Sequence, residues 1–347
     1  MQINFQALTD RISLIDIKNF AKDKTPNRSF FDKFGFAIIS FVALAIIVIG
    51  FFLSYLFLDG TNSSGDLTIA VISFVGMTLA IIIYTYLRVI KNIRLTRFAV
   101  DNNLIYAPID NIINESGMIF NIGRSSQKWD ILKSKSEKLF EIGNYQYTIE
   151  SGKNRKTVSR GYIKIHLNRS LPHIVLDSKK NNINILGVSV SNLPVIYKKD
   201  QILSLEGDFD SYFTLYAPKD YERDALYVFS PDLMALFIDE LGTYDAEIVD
   251  DALYVYSNRT FKVLDKDIMQ RLFNIINTVG TKTMSQTDRY SDGTIAIPGS
   301  NVVAESGRRL KRRIPLSVII STIVFLVFCL LYFLQFYIDD ITIFFLK

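Results

Sequence analysis

Three long stretches of the chain carry no charged residue: Phe34 to Leu58, Leu67 to Leu87 and Ile314 to Ile338, of 25, 21 and 25 residues. Each is near the ~20 residues that a helix needs to cross the hydrocarbon of a bilayer. Core helices of soluble proteins seldom run so far without a charge. The pattern therefore predicts three transmembrane helices.

Between the second and third runs the pattern changes to period two. In NYQYTIE (144 to 150) Tyr145, Tyr147 and Ile149 alternate with Gln146, Thr148 and Glu150, and in GYIKIHL (161 to 167) Ile163, Ile165 and Leu167 alternate with polar or amphipathic neighbours. Alternation of this kind predicts antiparallel strands with one wetted face. SGKNRKT (151 to 157) reads as a basic hairpin tip and PHIVLD (172 to 177) as the next strand.

Further on, SPDLMALFIDELG (230 to 242) has Ser230 at the N-cap position, Pro231 at the first helical position and Gly242 as a stop, which predicts a short helix. AEIVDDALYVYS (246 to 257) reads as a hairpin turning near Asp250 and Asp251. From Asp265 to Gly280, Ile268, Leu272, Ile275 and Val279 share one face of a second helix. Strands followed by mixed elements predict an α+β domain with a mainly antiparallel sheet.

The expected layout has eight parts. They are an N-terminal amphipathic segment (1–33), a first span (34–58), an external link (59–66), a second span (67–87), a cytoplasmic α+β domain (88–280), a flexible linker with a basic juxtamembrane stretch (281–313), a third span (314–338) and an external tail (339–347). In the first segment Phe5, Leu8, Ile12, Ile15 and Phe20 are helically spaced, which suits either the inner membrane surface or a fold-back onto the domain.

Charge supplies the orientation. Residues 1 to 33 hold six basic side chains and the 59–66 link holds none. Arg88, Lys91, Arg94 and Arg97 follow the second span, and Arg308, Arg309, Lys311, Arg312 and Arg313 precede the third. Basic residues stay on the cytoplasmic side, so the N-terminus and the main domain are expected there and the C-terminus outside, in a multi-pass protein of the cell membrane. These nine residues are also the candidate membrane-surface contacts, because basic groups near an anionic leaflet attract its headgroups. Composition agrees: 49% of residues are hydrophobic and mean hydropathy is +0.21. The single cysteine, Cys329, falls in the third span and can form no intramolecular disulfide.

Charge within the domain is divided: residues 124 to 199 hold 15 basic and 5 acidic side chains, and 200 to 251 hold 2 and 14. Either the two regions neutralise each other within one fold, or the basic part meets lipid while the acidic part meets a basic protein partner. No aromatic motif supports nucleic-acid binding.

Candidate chemistry is sparse. EGDFDSYF (206 to 213) sets Glu206, Asp208 and Asp210 at alternate positions, yet an EF-hand would need glycine at Ser211 and glutamate at Ala217. Together with Asp250 and Asp251 these carboxylates are the candidate metal ligands, with Asp245 and Glu247 able to join them in space, against the ordinary reading as solvated loop acids. SGKN lacks the second glycine spacing and the hydroxyl of a phosphate loop. His166 and His173 have no metal-ligand spacing beside them, and no GxSxG occurs.

The stretches FAVDNNLIY (98 to 106), GYIKIHLNRSLPHIVLDSKKNN (161 to 182, within a likeness over 140 to 182) and the long segment from Leu205 to Ser257 resemble a bacterial family of membrane-anchored proteins. That family is classed as a domain of unknown function and is best represented in small-genome candidate-phylum bacteria. LPHIVLDS and YERDALYVFSPDLM are its most distinctive parts, and Ala252 departs from it where an aromatic residue, usually Trp, is expected. The resemblance implies paired N-terminal spans ahead of a cytoplasmic α+β domain, and it brings no catalytic residue.

The expected function is that of a non-catalytic binding or scaffold module tethered to the inner membrane, with membrane lipid and a protein partner and no cofactor. The alternative is a membrane-bound hydrolase or metal-dependent enzyme using the carboxylates within 206–251.

Overall fold

The computed structural model describes residues 2–22, 42, 46–47, 50, 64–136, 139–151, 154–185, 188–295, 301–313 and 321–331. The helices, in chain order, are α1 (Gln6–Thr9), α2 (Leu14–Lys22), α3 (Ser64–Asp101), α4 (Phe209–Tyr212), α5 (Glu222–Val228), α6 (Pro231–Leu241), α7 (Lys266–Ile275), α8 (Thr281–Thr287), α9 (Glu305–Arg308) and α10 (Ser321–Leu331). The strands are β1 (Leu104–Asp110), β2 (Arg124–Ser134), β3 (Phe140–Ser151), β4 (Asn154–Ser178), β5 (Ile183–Ile185), β6 (Val188–Val190), β7 (Ile202–Leu203), β8 (Phe213–Tyr216) and β9 (Asp245–Tyr256). The fold is mixed α/β and the pairings described below are antiparallel, in keeping with the expected class.

The chain forms two compact units. The first comprises Met1–Asn111, Gln127–Asn144 and Phe261–Asn277, and the second Ile112–Ser126, Tyr145–Thr260 and Thr278–Lys347.

In the first unit α3 runs for 38 residues and does not stop at Leu87, because the polar stretch that follows keeps helical spacing of apolar residues. Its last turns bury Ile93, Leu95, Phe98 and Ala99. Phe98 lies 5.9 Å from the Phe5 ring and 6.0 Å from Phe273 of α7, and Phe273 is 5.6 Å from Phe140. Edge and tilted contacts at such spacing suit the ring quadrupoles. Phe5, Ala7 and Leu8 thus fold back onto the domain, while Leu14 and Ile15 of α2 stay exposed. Asn102 secures the fold-back, accepting from Asn4 N (2.6 Å) and donating to Asn4 O (2.8 Å). β1 pairs with β2 from Leu104↔Ser134 to Asp110↔Lys128.

The second unit holds β3 from Tyr145 on, together with β4 to β9, and β4 is its spine. β8 pairs with β4 and then with β7, while β9 pairs with β4 along most of its length. The expected strands 161–167 and 172–177 are one strand of 25 residues, since the polar interruption at 168–170 is absorbed as register shifts between His166 and Leu171 and between Leu171 and Ile174. Likewise 246–257 is one strand and not a hairpin. Asp250 adopts φ +54° at the shift, so the acid pair makes a bulge where a turn was expected.

The bulges curl the β4–β9 ribbon. Asn181 Nδ2 donates to Asp245 Oδ1 at one end of β9 (3.0 Å), and Asn258 Nδ2, past the other end, donates to Asn181 O (3.0 Å). Thirteen extended residues would span about 40 Å. Bridging both ends with one asparagine requires strong coiling around the buried Tyr145, Tyr162, Tyr254 and Tyr256.

The SPDLM helix forms as α6, although Ser230 makes no side-chain cap bond. α7 is capped by Asp265, which accepts from Asp267 N and Ile268 N, and at Ile276–Gly280 the helix widens to a π turn. Residues 281 to 313, expected as a flexible linker, begin with α8, where Thr283 and Thr287 are fully buried. They end in α9 and a bridge between Tyr197 and Arg312.

Among the described residues one helix is long and apolar enough to cross a membrane, the Val75–Asp101 part of α3. Val75, Met77, Leu79, Ile83 and Leu87 are exposed on it. The predicted first span, the 59–63 part of the external link and both ends of the third span, with the external tail, lie outside the described residues, apart from isolated positions 42, 46–47 and 50. α10 is a shorter apolar helix whose Val324, Phe325, Phe328 and Leu331 are exposed.

Candidate functional site

The most organised polar structure of the second unit lies where the basic stretch 308–313 meets β4 and β9. His173 and Glu247 are neighbours across the ribbon, and both are buried because the alternate positions around them, Val175 and Val249, face the core. Leu310 N donates to His173 Nδ1 (3.0 Å), which requires that nitrogen to be unprotonated. The ring proton therefore sits on Nε2, 2.8 Å from Glu247 Oε1. Glu247 Oε2 accepts from Met118 N and from Tyr256 OH, both at 2.6 Å. Gly117 makes this approach possible, because a Cβ there would lie 2.2 Å from Tyr256 OH. Burial, with the Glu247 carboxylate beside it, holds the Tyr256 hydroxyl well above the ordinary tyrosine range.

Around this buried network the stretch is held along its backbone. Lys311 N donates to Gln201 Oε1 and Gln201 Nε2 to Lys311 O, both at 2.8 Å, so one buried amide pairs with both polar groups of a residue. Lys198 N donates to Lys311 O (3.1 Å) and Arg313 N to Ile196 O (2.7 Å). Leu310 fills the core beside Tyr197 and Met118. Arg309 forks onto Asp250, with Nη1 2.9 Å from Oδ1 and Nη2 3.0 Å from Oδ2. Burial acts to raise the Asp250 carboxyl, but the bonds from Arg309 and Ser116 outweigh it and hold it below its ordinary value. Beside the fork a pocket of about 250 Å³ is lined by Ser170, Leu171, Asp250, Asn301, Arg308 and Arg309.

The predicted metal candidates fare differently from one another. Glu206 and Asp208 are exposed, and Asp210 is spent on Leu205 N (3.2 Å) and on the Ser204 hydroxyl. Asp250 is taken by Arg309, and Asp251 lies 3.9 Å from His166. Among the described residues no group of three or more His, Cys, Asp or Glu is arranged to hold a metal ion.

The predicted membrane-surface residues also divide. In the first unit Lys91 is 2.9 Å from Asp130, Arg94 donates twice to Asp10 O (3.2 and 3.0 Å) and Arg97 is 2.6 Å from Asp16. In the second, Arg308 bonds Val303 O (3.0 Å) and Arg309 is forked. Arg88, Lys311, Arg312 and Arg313 are exposed.

Sequence reasoning weighed His173 and Glu247 only as possible metal ligands and passed over Gln201 and the pairing of the other two. The available signal was an acid inside an apolar run, AEIV, since a carboxylate among buried positions must find donors.

No protein-family model and no curated protein matches the sequence. Among solved structures, the mycobacterial trehalose monomycolate transport factor A, TtfA, is similar over 53% of this chain and 93% of its own, at 12% identity and a TM-score of 0.30.

Proposed function

We propose that the chain is a non-catalytic binding module of the inner membrane, with three spans, its N-terminus and residues 88–313 on the cytoplasmic side, and a protein partner met by the folded surface. One observation carries this reading: the basic stretch ahead of the last apolar segment is locked into the second unit through Leu310, Lys311 and Arg313. A catalytic domain can work on a loose tether. A module that must present a surface at a fixed height gains from a stiff junction, because a partner then meets it without first ordering a linker.

The charge asymmetry around the apolar runs supports the orientation, and the exposed Lys311, Arg312 and Arg313 suit anionic headgroups at that height.

Two measurements test the reading. Cysteines introduced at Asn62 and Thr342 in a Cys329→Ser background should react with an impermeant maleimide from outside intact cells, whereas one at Lys219 should not. Crosslinking in native membranes followed by copurification should return a specific protein. Loss of that protein on Leu310→Asp, with the chain still inserted, is expected, and recovery of lipid alone would overturn the module reading.

A further inference from the structure

Below the His173–Glu247 pair the same ribbon sets two acids against each other. The register that pairs Val175 with Glu247 and Leu176 with Ala246 brings Asp177 opposite Asp245 at the next step. Side chains so paired have Cβ atoms about 4.5–5.5 Å apart, where like charges destabilise a sheet. Both are buried, at 3% and 0% exposure. Each keeps one oxygen without a hydrogen-bond partner, Oδ1 of Asp177 and Oδ2 of Asp245, although Asp245 Oδ1 accepts from Ser178 N and Asn181 Nδ2, both at 3.0 Å.

Two further buried acceptors in this neighbourhood are unpartnered, the side-chain oxygens of Asn181 and Asn192. Their nitrogens are committed, Asn181 Nδ2 to Asp245 and Asn192 Nδ2 to Asn181 O (3.2 Å) and Asn258 Oδ1, which fixes the end of each amide that is oxygen. Ser191, next to Asn192, bonds Asp177 and ties this loop to the pair. The basic groups at hand hydrogen-bond other acceptors, although the charges of Lys179 and Arg160 act to lower Asp177 and Asp245, respectively, against the larger effect of burial. Lys179 Nζ bonds Asp210 O, and Arg160 bonds Asn258 Oδ1 (3.1 Å) and Asn192 O (2.8 Å), with its Nε meeting no acceptor. Burial, together with the facing carboxylate, raises Asp177 to about 7, and burial raises Asp245 to about 6.

Four buried acceptors without donors, two of them carboxylates, call for positive charge. We propose that Asp177, Asp245 and the amide oxygens of Asn181 and Asn192 form a site for a small hard divalent cation, Mg²⁺ or Ca²⁺. An all-oxygen donor set is the chemistry of that class, and the absence of His and Cys from it disfavours softer metals. Two carboxylates match a charge of +2, and water fills the remaining coordination positions.

The test uses the full chain in detergent micelles, stripped with chelator and titrated calorimetrically with MgCl₂ and separately with CaCl₂. One ion per chain is expected, with affinity reduced at least tenfold by Asp177→Asn or Asp245→Asn and unchanged by the exposed Asp239→Asn. Asn192→Ala, which keeps both carboxylates, should weaken binding severalfold, and tyrosine-sensitised terbium luminescence reads the same site if an Asp variant folds poorly. Binding that survives both Asp variants overturns the proposal. So does an absence of binding by either ion with proton uptake on the acid pair between about pH 5 and 8, which would identify a shared proton instead.

Discussion

The two units are connected to their own apolar segments by different means. In the first, α3 passes without interruption from its apolar part into its buried last turns, and the helix itself is the connection. Its basic side chains make half-exposed pairs with Asp16, Asp130 and Asp10 O. In the second, residues 309–313 form no helix and are held by a buried network that ends on Glu247. A helix needs only its own backbone bonds, so no one side chain decides the first connection. The second concentrates its hold in a few buried groups, where desolvation makes each missing partner costly.

The largest expected effect comes from Glu247→Ala. It leaves His173, Tyr256 and Met118 N buried without an acceptor, at a cost of about 1–3 kcal/mol for each. Hydrogen exchange should rise across 301–313 and β9 and change little in α3. Equal loosening of both units would erase the contrast.

Leu310→Ala follows, removing a buried side chain beside Tyr197 for about 2–5 kcal/mol. Limited proteolysis should then cut within 301–313, and continued resistance there would mean that the backbone bonds suffice alone.

Acidity should separate the units next. Asp177, raised to about 7, stabilises the second unit fully below about 3.8, and this contribution is lost as pH rises through about 7. Asp16 of the first unit is lowered to about 2 by bonds from Ser13 and Arg97, so its contribution holds above about 3.8 and is lost as pH falls through about 2. Exchange corrected for intrinsic rate, measured from pH 4 to 8, should show the second unit loosening as the first holds. Saturating divalent cation should flatten that slope if the ion displaces the protons.

Arg309→Ala should cost roughly 1 kcal/mol, because the fork to Asp250 is well aligned but half-exposed. Smallest of all, Lys91→Ala should cost roughly 0.2–1 kcal/mol in chemical denaturation. A loss larger than that of Arg309→Ala would make the first connection as side-chain dependent as the second.

The EGDFDSYF stretch shows how far pattern reading reached. Its alternate acids drew attention, whereas its buried residues are Phe209 and Phe213, with Glu206 and Asp208 left exposed. The acids that do meet, Asp177 and Asp245, lie 68 positions apart inside apolar strands. No local spacing marks them, because their pairing depends on a register set by bulges.

By itself the sequence determined the local elements. Uncharged runs, the Ser-Pro start of α6, the Asp265 cap and period-two strands follow from interactions a few residues long. Tertiary structure decided that 168–170 and Asp250 would be bulges within long strands, that the chain would divide into two units, and that the expected linker would be clasped. Each of these depends on which distant group satisfies a buried donor or acceptor, as Leu310 N finds His173, and such a choice is made only when the strands pack.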